Sequence, residues 1–334
     1  MNKKLWVPLL VVILVIIALG FIWKAKSPKN INNELTKITF PISWFNGAQY
    51  AFVYVAKENG YFKEEGLDVD IIENKGSAIT SKIIASGEYP IGMISADTAL
   101  ISKSKGLPIT VVAVADKISP SGITCHKSAN VNKPTDLYGK KVGVTITSNT
   151  YQQWLAFLKL TNLDKNKIQE IPVGAAGAEF LAGQVDCFVL YPNVLTIPSA
   201  TVKNIDVSSM DFYDYGLKMY GQTISANSDY LNKNPEIVSK IVRALLKGLE
   251  FERKNPDQTL DIVMKLNPDK DRNYEKLVLD GRLQLDKKLT SDTSPYDGIM
   301  TDDIWQNTKI ELNDLKMLDT DVNLNDFYTD KFVK

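Results

Sequence analysis

Along most of the chain, short apolar runs alternate with longer segments in which apolar residues recur every three or four positions. The short runs predict buried strands and the periodic segments predict amphipathic helices, an alternation typical of parallel sheets covered by helices. The first series predicts strands at 37–44, 67–73, 89–95 and 109–115, with helices at 46–60, 78–86 and 97–105.

A second series with the same alternation follows Pro120 and Pro134. It predicts strands at 141–146, 168–173 and 186–191, with helices at 149–160 and 175–182. After Tyr220 the pattern becomes mostly helical. The strongest helix begins at Asn234 and Pro235, and its apolar positions keep the spacing of a face buried in a core.

The first 35 residues differ from the rest of the chain. Lys3 and Lys4 precede an apolar run at 5–23, close to the roughly 20 residues that span a bilayer. This pattern predicts a retained membrane anchor followed by a polar tether, without lipidation because no cysteine lies nearby. A cleaved signal peptide ending near Gly20 is the competing interpretation. Both interpretations place the remainder of the protein outside the cytoplasm.

Composition excludes several classes of function. The 39 basic and 39 acidic residues cancel, whereas a nucleic-acid-binding protein usually carries a basic excess. One histidine, His126, and two cysteines are too few for a zinc site built from Cys and His. No motif indicates a reaction, so we expect no metal, no cofactor and no catalytic residue. Cys125 and Cys187 are either a disulfide or two buried thiols, and their spacing does not decide between these.

A binding site is predicted by position instead. In open parallel sheets, ligands bind beyond the carboxyl ends of the strands, where loops and helix starts meet. These loops combine aromatic rings with small hydroxyl and amide groups, a set that suits a small polar or heteroaromatic ligand. The predicted ligand-binding residues are Trp44, Phe45, Asn46, Ser77, Asp97, Ser148, Asn149, Thr150, Tyr191 and Asn193.

Each candidate also has a purely structural interpretation. Trp44 covers a core in that interpretation, and Asp97 is a helix N-cap. Ser148 and Asn149 cap their own helix, and Tyr191 packs on the preceding strand.

Charge within the predicted loops indicates the class of ligand. The four arginines of the chain all lie at or after Arg243, and the loops contain none; Lys75 alone lies beside them. Because oxyanions favour arginine, this absence favours a neutral or weakly charged, pyrimidine-like ring. Lysine and helix N-termini also hold anions, so a sulfonate or nitrate ligand is the alternative.

Several motifs, taken together and in order, resemble those of a known family. The segment 54–69 (YVAKENGYFKEEGLDV) is similar to the signature of ABC-transporter substrate-binding proteins with the type II periplasmic-binding fold. The group concerned takes nitrate, sulfonates, taurine and thiamine-pyrimidine precursors. The similarity continues through 86–88, 136–144, 182–186 and 325–332.

The resemblance implies an α/β protein with two lobes, each a mostly parallel sheet flanked by helices, joined by a hinge of two crossing strands. The first lobe would comprise 36–118 and 222–334, and the second 119–221. A monomer would close on a small molecule and deliver it to an ABC permease and its ATPase. Trp44 and Tyr191 match aromatic positions of the pyrimidine-binding relatives, whereas Pro192 and Asn193 replace a segment that carries a glutamate there.

Two further functions follow from the same resemblance. A membrane-tethered sensor ectodomain would use the cleft to signal rather than to deliver. A pyrimidine-precursor synthase is the enzymatic alternative, but that family relies on a cysteine cluster and an active histidine. This chain has no cysteine cluster, and His126 lies in no matching motif.

Overall fold

The computed structural model describes residues 34–288 and 297–333. The predicted anchor or signal segment lies outside the described residues, apart from its last two positions. Within the described ranges, no helix is both long and apolar enough to cross a membrane.

Ten strands run through the described residues. They are β1 (Thr36–Pro41), β2 (Leu67–Ile72), β3 (Ile91–Ser95), β4 (Ile109–Val114), β5 (Gly122–His126), β6 (Lys141–Val144), β7 (Gln169–Pro172), β8 (Cys187–Leu190), β9 (Val207–Asp211) and β10 (Gln222–Asn227).

The α-helices of the same ranges lie between and after these strands. They are α1 (Ala51–Glu58), α2 (Tyr61–Glu64), α3 (Ser77–Ser86), α4 (Ala96–Ser104), α5 (Asn149–Leu160), α6 (Ala178–Leu181), α7 (Ile197–Thr201), α8 (Ser228–Lys233), α9 (Pro235–Lys254), α10 (Pro256–Leu266), α11 (Arg272–Lys287) and α12 (Asp302–Asp314). A π-helix, Pro192–Thr196, leads directly into α7.

The strands form two lobes. In the first lobe, β1 pairs in parallel with β2, and a separate sheet has the order β3-β10-β4. The second lobe is one five-stranded sheet in the order β7-β6-β8-β5-β9. Its strands β6, β7 and β8 are parallel to one another. The two-lobed α/β fold agrees with the prediction, and its sheets contain both parallel and antiparallel pairs.

One strand in each lobe runs antiparallel to its neighbours, within sheets that the resemblance describes as mostly parallel. Strand β10 is antiparallel to β3 and β4, and β5 is antiparallel to β8 and β9. Each is the first strand after a connection between the lobes, so the chain enters the new sheet from the opposite direction. Strands β5, β9 and β10 are absent from the sequence prediction because about half of their residues are polar.

The two connections between the lobes lie side by side. The amide N–H of Ala115 donates to the carbonyl of Gln222 at 2.8 Å, and that of Ser119 donates to the carbonyl of Met219 at 2.8 Å. Backbone hydrogen bonds therefore join the outgoing and the returning segments into the hinge that the resemblance implies.

The buried residues of α9 confirm the helix that the spacing of apolar residues predicts most strongly. On α9, Val238, Ile241, Val242, Leu245 and Leu249 are fully buried in the main core of the first lobe. Val194 of the π-helix, a second-lobe element, belongs to the same core. The two lobes therefore pack directly against each other.

A disulfide joins Cys125 to Cys187, which settles the alternative that the spacing left open. The two residues are direct cross-strand partners on β5 and β8. The bond therefore fixes the central strands of the second lobe to each other.

Candidate functional site

A central cavity of about 490 Å³ lies between the lobes. Its walls come from the loops after β1, β2, β6 and β8, from the hinge, and from helix α11. The predicted site residues that line it are Trp44, Ser77, Ser148, Asn149, Thr150 and Tyr191. A cavity of this size, at the carboxyl ends of strands, has the dimensions of a small-molecule site.

The remaining four predicted residues lie elsewhere. Phe45 and Asn46 line an adjoining side cavity of about 530 Å³. Asp97 is buried and lines neither cavity. The amide of Asn193 donates to both carboxylate oxygens of Asp211, at 3.0 and 3.1 Å, so it positions the chain after Tyr191.

Asp97 joins the two lobes. It lies inside helix α4, whose N-cap is Ser95, and is 1% exposed. Its carboxylate accepts from the Thr98 N–H and, at 2.7 Å, from Gln153 Nε2 on helix α5 of the second lobe. Burial raises the pKa of this carboxyl above its usual range, and these hydrogen bonds oppose that shift.

The start of helix α5 supplies polar groups to the central cavity. Ser148 is its N-cap and accepts from the Tyr151 N–H at 3.3 Å. Asn149 donates from Nδ2 to the hydroxyl of Tyr191 at 3.0 Å. Burial raises the pKa of Tyr191, so its hydroxyl stays protonated and able to donate. The capping interpretation thus holds for Ser148, whereas Asn149 and Tyr191 hold each other at the cavity wall.

Trp44 forms the boundary between the two cavities, since it lines both. Its ring meets that of Phe45 edge to face, with centroids 5.1 Å apart. Trp44 is partly buried and packs against the first-lobe core on one side. The Trp44 side chain therefore covers the core and also forms part of the wall of both cavities.

Arg282, on helix α11, corrects the expectation of a cleft without arginine. It lines the central cavity, and its guanidinium donates to Glu252 at 2.7 Å and to Asp116 of the hinge. Burial raises the pKa of Glu252 to about 7, although Arg282 opposes this shift. Asp116, together with the ionised fraction of Glu252, therefore offsets the positive charge of Arg282.

Arg282 cannot be predicted from the ends of strands, because it lies on a distant helix rather than in a loop after a strand. Its only signal in the sequence is a charge on the apolar face of α11, which also carries Val278, Leu279 and Leu285.

Two buried polar atoms of the cavity wall lack a hydrogen-bond partner among the described residues. They are Gln152 Oε1, an acceptor, and Arg282 Nη2, a donor. Most buried polar atoms in proteins are hydrogen-bonded, so an unpartnered donor and an unpartnered acceptor in the lining of one cavity are suited to a ligand with complementary groups.

His126 is not part of the site. Its Nε2 lies 2.8 Å from the carbonyl oxygen of Phe180, and it lines neither cavity. Within residues 34–288 and 297–333, no group of three or more His, Cys, Asp or Glu side chains is placed to hold a metal ion.

A profile of proteins described as NMT1/THI5 like matches residues 47–259, well over half of the chain. The chain belongs to this NMT1/THI5-like family. A formylaminopyrimidine-binding protein of Halalkalibacterium halodurans is 27% identical to it over 257 residues, which cover 76% of this chain and 78% of that protein.

The family contains enzymes as well as binding proteins. A 4-amino-5-hydroxymethyl-2-methylpyrimidine phosphate synthase of Legionella pneumophila is 20% identical over 322 residues, 89% of this chain and 92% of the enzyme. Among solved structures, the periplasmic aliphatic sulphonate-binding protein SsuA of Escherichia coli aligns with a TM-score of 0.70 at 15% identity, over 87% of this chain and 96% of that one. This likeness shows the periplasmic-binding fold.

Proposed function

We propose that the protein is the extracytoplasmic substrate-binding protein of an ABC importer for a small pyrimidine-like heteroaromatic compound. The observation that carries the proposal is the central cavity, which combines the rings of Trp44 and Tyr191 with a charge-compensated Arg282. A planar neutral ring gains from aromatic contact, whereas a small oxyanion is bound most strongly by an arginine without acidic neighbours.

The residues proposed to contact the ligand come from both lobes. Trp44 stacks on the ring, and Ser77 and the α5 start hydrogen-bond its edge. Arg282 Nη2 and Gln152 Oε1 supply one donor and one acceptor. Because a ligand between the lobes contacts both, its binding favours the closed form. We assign 36–118 with 222–334 to the first lobe and 119–221 to the second.

The periplasmic-binding fold and the formylaminopyrimidine-binding relative support delivery to a permease and its ATPase, and we propose that the protein acts as a monomer. The synthase alternative has no support in the geometry, because His126 lies outside the cavity and both cysteines are joined in the disulfide. If the protein is a sensor, the liganded protein should leave the rate of ATP hydrolysis by the permease complex unchanged. If it is the binding protein of an importer, the liganded protein should increase that rate.

Calorimetric titration of the full-length chain tests the choice of ligand. We expect binding of 4-amino-5-hydroxymethyl-2-methylpyrimidine or its formylamino relative, and none of taurine or nitrate. Binding of taurine or nitrate without any response to the pyrimidines would refute the proposal.

A further inference from the structure

The side cavity adjoins the central cavity and shares part of its wall. The residues common to both are Trp44, Gln49, Lys75, Ala175, Leu190 and Leu195. The two spaces are similar in volume, about 490 and 530 Å³. A ligand that fills the central cavity therefore has a second space of equal size beside it, with Trp44 at the boundary.

The lining of the side cavity is mainly apolar. Phe45, Phe180, Phe188 and Tyr274 contribute aromatic surface. Of its charged groups, Lys75 is exposed to solvent, and the other two are already engaged. Lys270 Nζ donates to the carbonyl of Asn46 at 2.6 Å and lies 3.5 Å from Glu275 Oε1, and Glu275 accepts from the Ala48 N–H at 2.6 Å. Such a lining favours a neutral group, because a charged one would lose hydration without a strong partner.

Thr196 gives a second, independent observation. It lines the side cavity at 4% exposure, and its Oγ1 is buried without a hydrogen-bond partner. Helical Ser and Thr hydroxyls commonly donate to the carbonyl four residues earlier, and Ser199, one turn later, does so to Leu195 at 2.8 Å. Thr196 lies in the π-helix and makes no such bond, which leaves its hydroxyl for another partner.

We propose that the side cavity is a second subsite, which binds a neutral and mainly apolar group attached to the ring in the central cavity. Thr196 Oγ1 hydrogen-bonds a polar atom of that group. The inference rests on the proposed function and deepens it: the ligand class becomes a heteroaromatic ring linked to a second group, rather than a single ring.

A series of amides tests the subsite by calorimetry on the full-length chain. The series starts from 4-amino-5-aminomethyl-2-methylpyrimidine and adds a formyl, a benzoyl or a succinyl group at the same nitrogen. We expect the benzoyl amide to bind about tenfold more tightly than the formyl amide, because its phenyl group is buried beside Trp44. The succinyl amide, which carries a carboxylate, should gain nothing.

Two variants test whether the higher affinity for the benzoyl amide arises in the side cavity. Ala176→Phe places a ring in the side cavity from its exposed rim, so the benzoyl amide should lose its advantage while the formyl amide binds as before. The matched control is Ala178→Phe, at an exposed position that lines neither cavity, where the advantage should remain.

A hydroxyl group on the benzoyl ring tests the role of Thr196. At least one hydroxybenzoyl isomer should bind more tightly than the benzoyl amide, and Thr196→Val should remove that increase in affinity.

The outcomes separate the two proposals. Equal affinities for the formyl and benzoyl amides, or a benzoyl advantage that survives Ala176→Phe, would overturn the subsite and leave the proposed function intact. A succinyl amide that gains as much as the benzoyl amide would overturn the neutral character of the subsite. If no pyrimidine binds at all, the proposed function and the subsite both fail.

Discussion

At the scale of single residues, Trp44 has the largest predicted effect on binding. Trp44→Ala should weaken pyrimidine binding by about 1–3 kcal/mol, the range for stacking of a base on an aromatic ring. That corresponds to roughly 5- to 150-fold in affinity. Trp44→Phe should retain part of the affinity, because a smaller aromatic face remains.

Melting temperature, measured on the same preparations, is the control for Trp44. If the side chain only covers the core, both variants should melt earlier and bind nearly as well as the parent. In that case Tyr191 becomes the stronger stacking candidate.

Glu252 should make stability depend on pH. Its folded pKa of about 7 lies above the unfolded value of about 4.3, so the folded state binds more protons between these values. Stability should therefore fall as pH rises from about 4.3 to 7, by at most about 1.4 kcal/mol per pH unit. Asp116 and Asp286 reinforce this direction, and Arg282 opposes it.

Denaturation curves across this pH range test the dependence on Glu252. Glu252→Gln should flatten the profile, because glutamine does not titrate. Glu250→Gln is the matched control: Glu250 lies on the same helix but is only partly buried and is paired with Lys254, so the profile of this variant should match that of the parent. A slope that persists in Glu252→Gln would assign it to another group.

At the scale of elements, the sequence predicts strands and helices well where apolar residues cluster. Helix α5 has the predicted bounds, and β4 differs by one residue. Strand β10 is missed because Thr223 and Ser225 suggest a loop, although both are fully buried. Their hydroxyls bond each other at 2.9 Å, and Thr223 also donates to the Ile94 carbonyl. Such pairing depends on the folded neighbours and has no signature in local sequence.

The site is predictable to a similar extent. The loops after strands supply six of the predicted residues to one cavity, because the carboxyl ends of parallel strands meet at one edge. Arg282 and Thr196 come from a distant helix and from a π-helix. Neither position follows from the spacing of apolar residues.

The disulfide is the element-scale feature with the clearest effect on stability. Cys125 and Cys187 are 62 residues apart, so the bond closes a long loop in the unfolded chain. Reduction should lower the free energy of unfolding by about 2–4 kcal/mol. Ligand affinity should hardly change, because neither cysteine lines a cavity.

Urea denaturation with and without a phosphine reductant measures this contribution. The double variant Cys125→Ala/Cys187→Ala is the control, since the reductant should have no effect on it. Identical curves for the oxidised and reduced parent would show that the bond contributes nothing to stability.

At the scale of the whole molecule, several side-chain contacts join the two lobes. Besides Asp97 and Gln153, Lys288 at the end of α11 pairs with Asp211 at 2.7 Å and with Asp214 at 3.1 Å. Helix α11 also packs against the π-helix. There Gly281 lies so close to the carbonyl oxygen of Asn193 that any Cβ would overlap it.

Because Gly281 has no side chain, α11 and the π-helix can come into contact. One added methyl group should therefore push the two helices, and with them the two lobes, apart. Gly281→Ala should have a larger radius of gyration in X-ray scattering than the parent and should bind pyrimidine more weakly, with each lobe still folded. A parent-like scattering profile would mean that the helices adjust locally instead. If the added methyl group separates the helices, the variant keeps the outer surface of the parent but no longer responds to the ligand. Such a variant would show whether a transporter recognises the outer surface itself or the change in lobe arrangement on ligand binding.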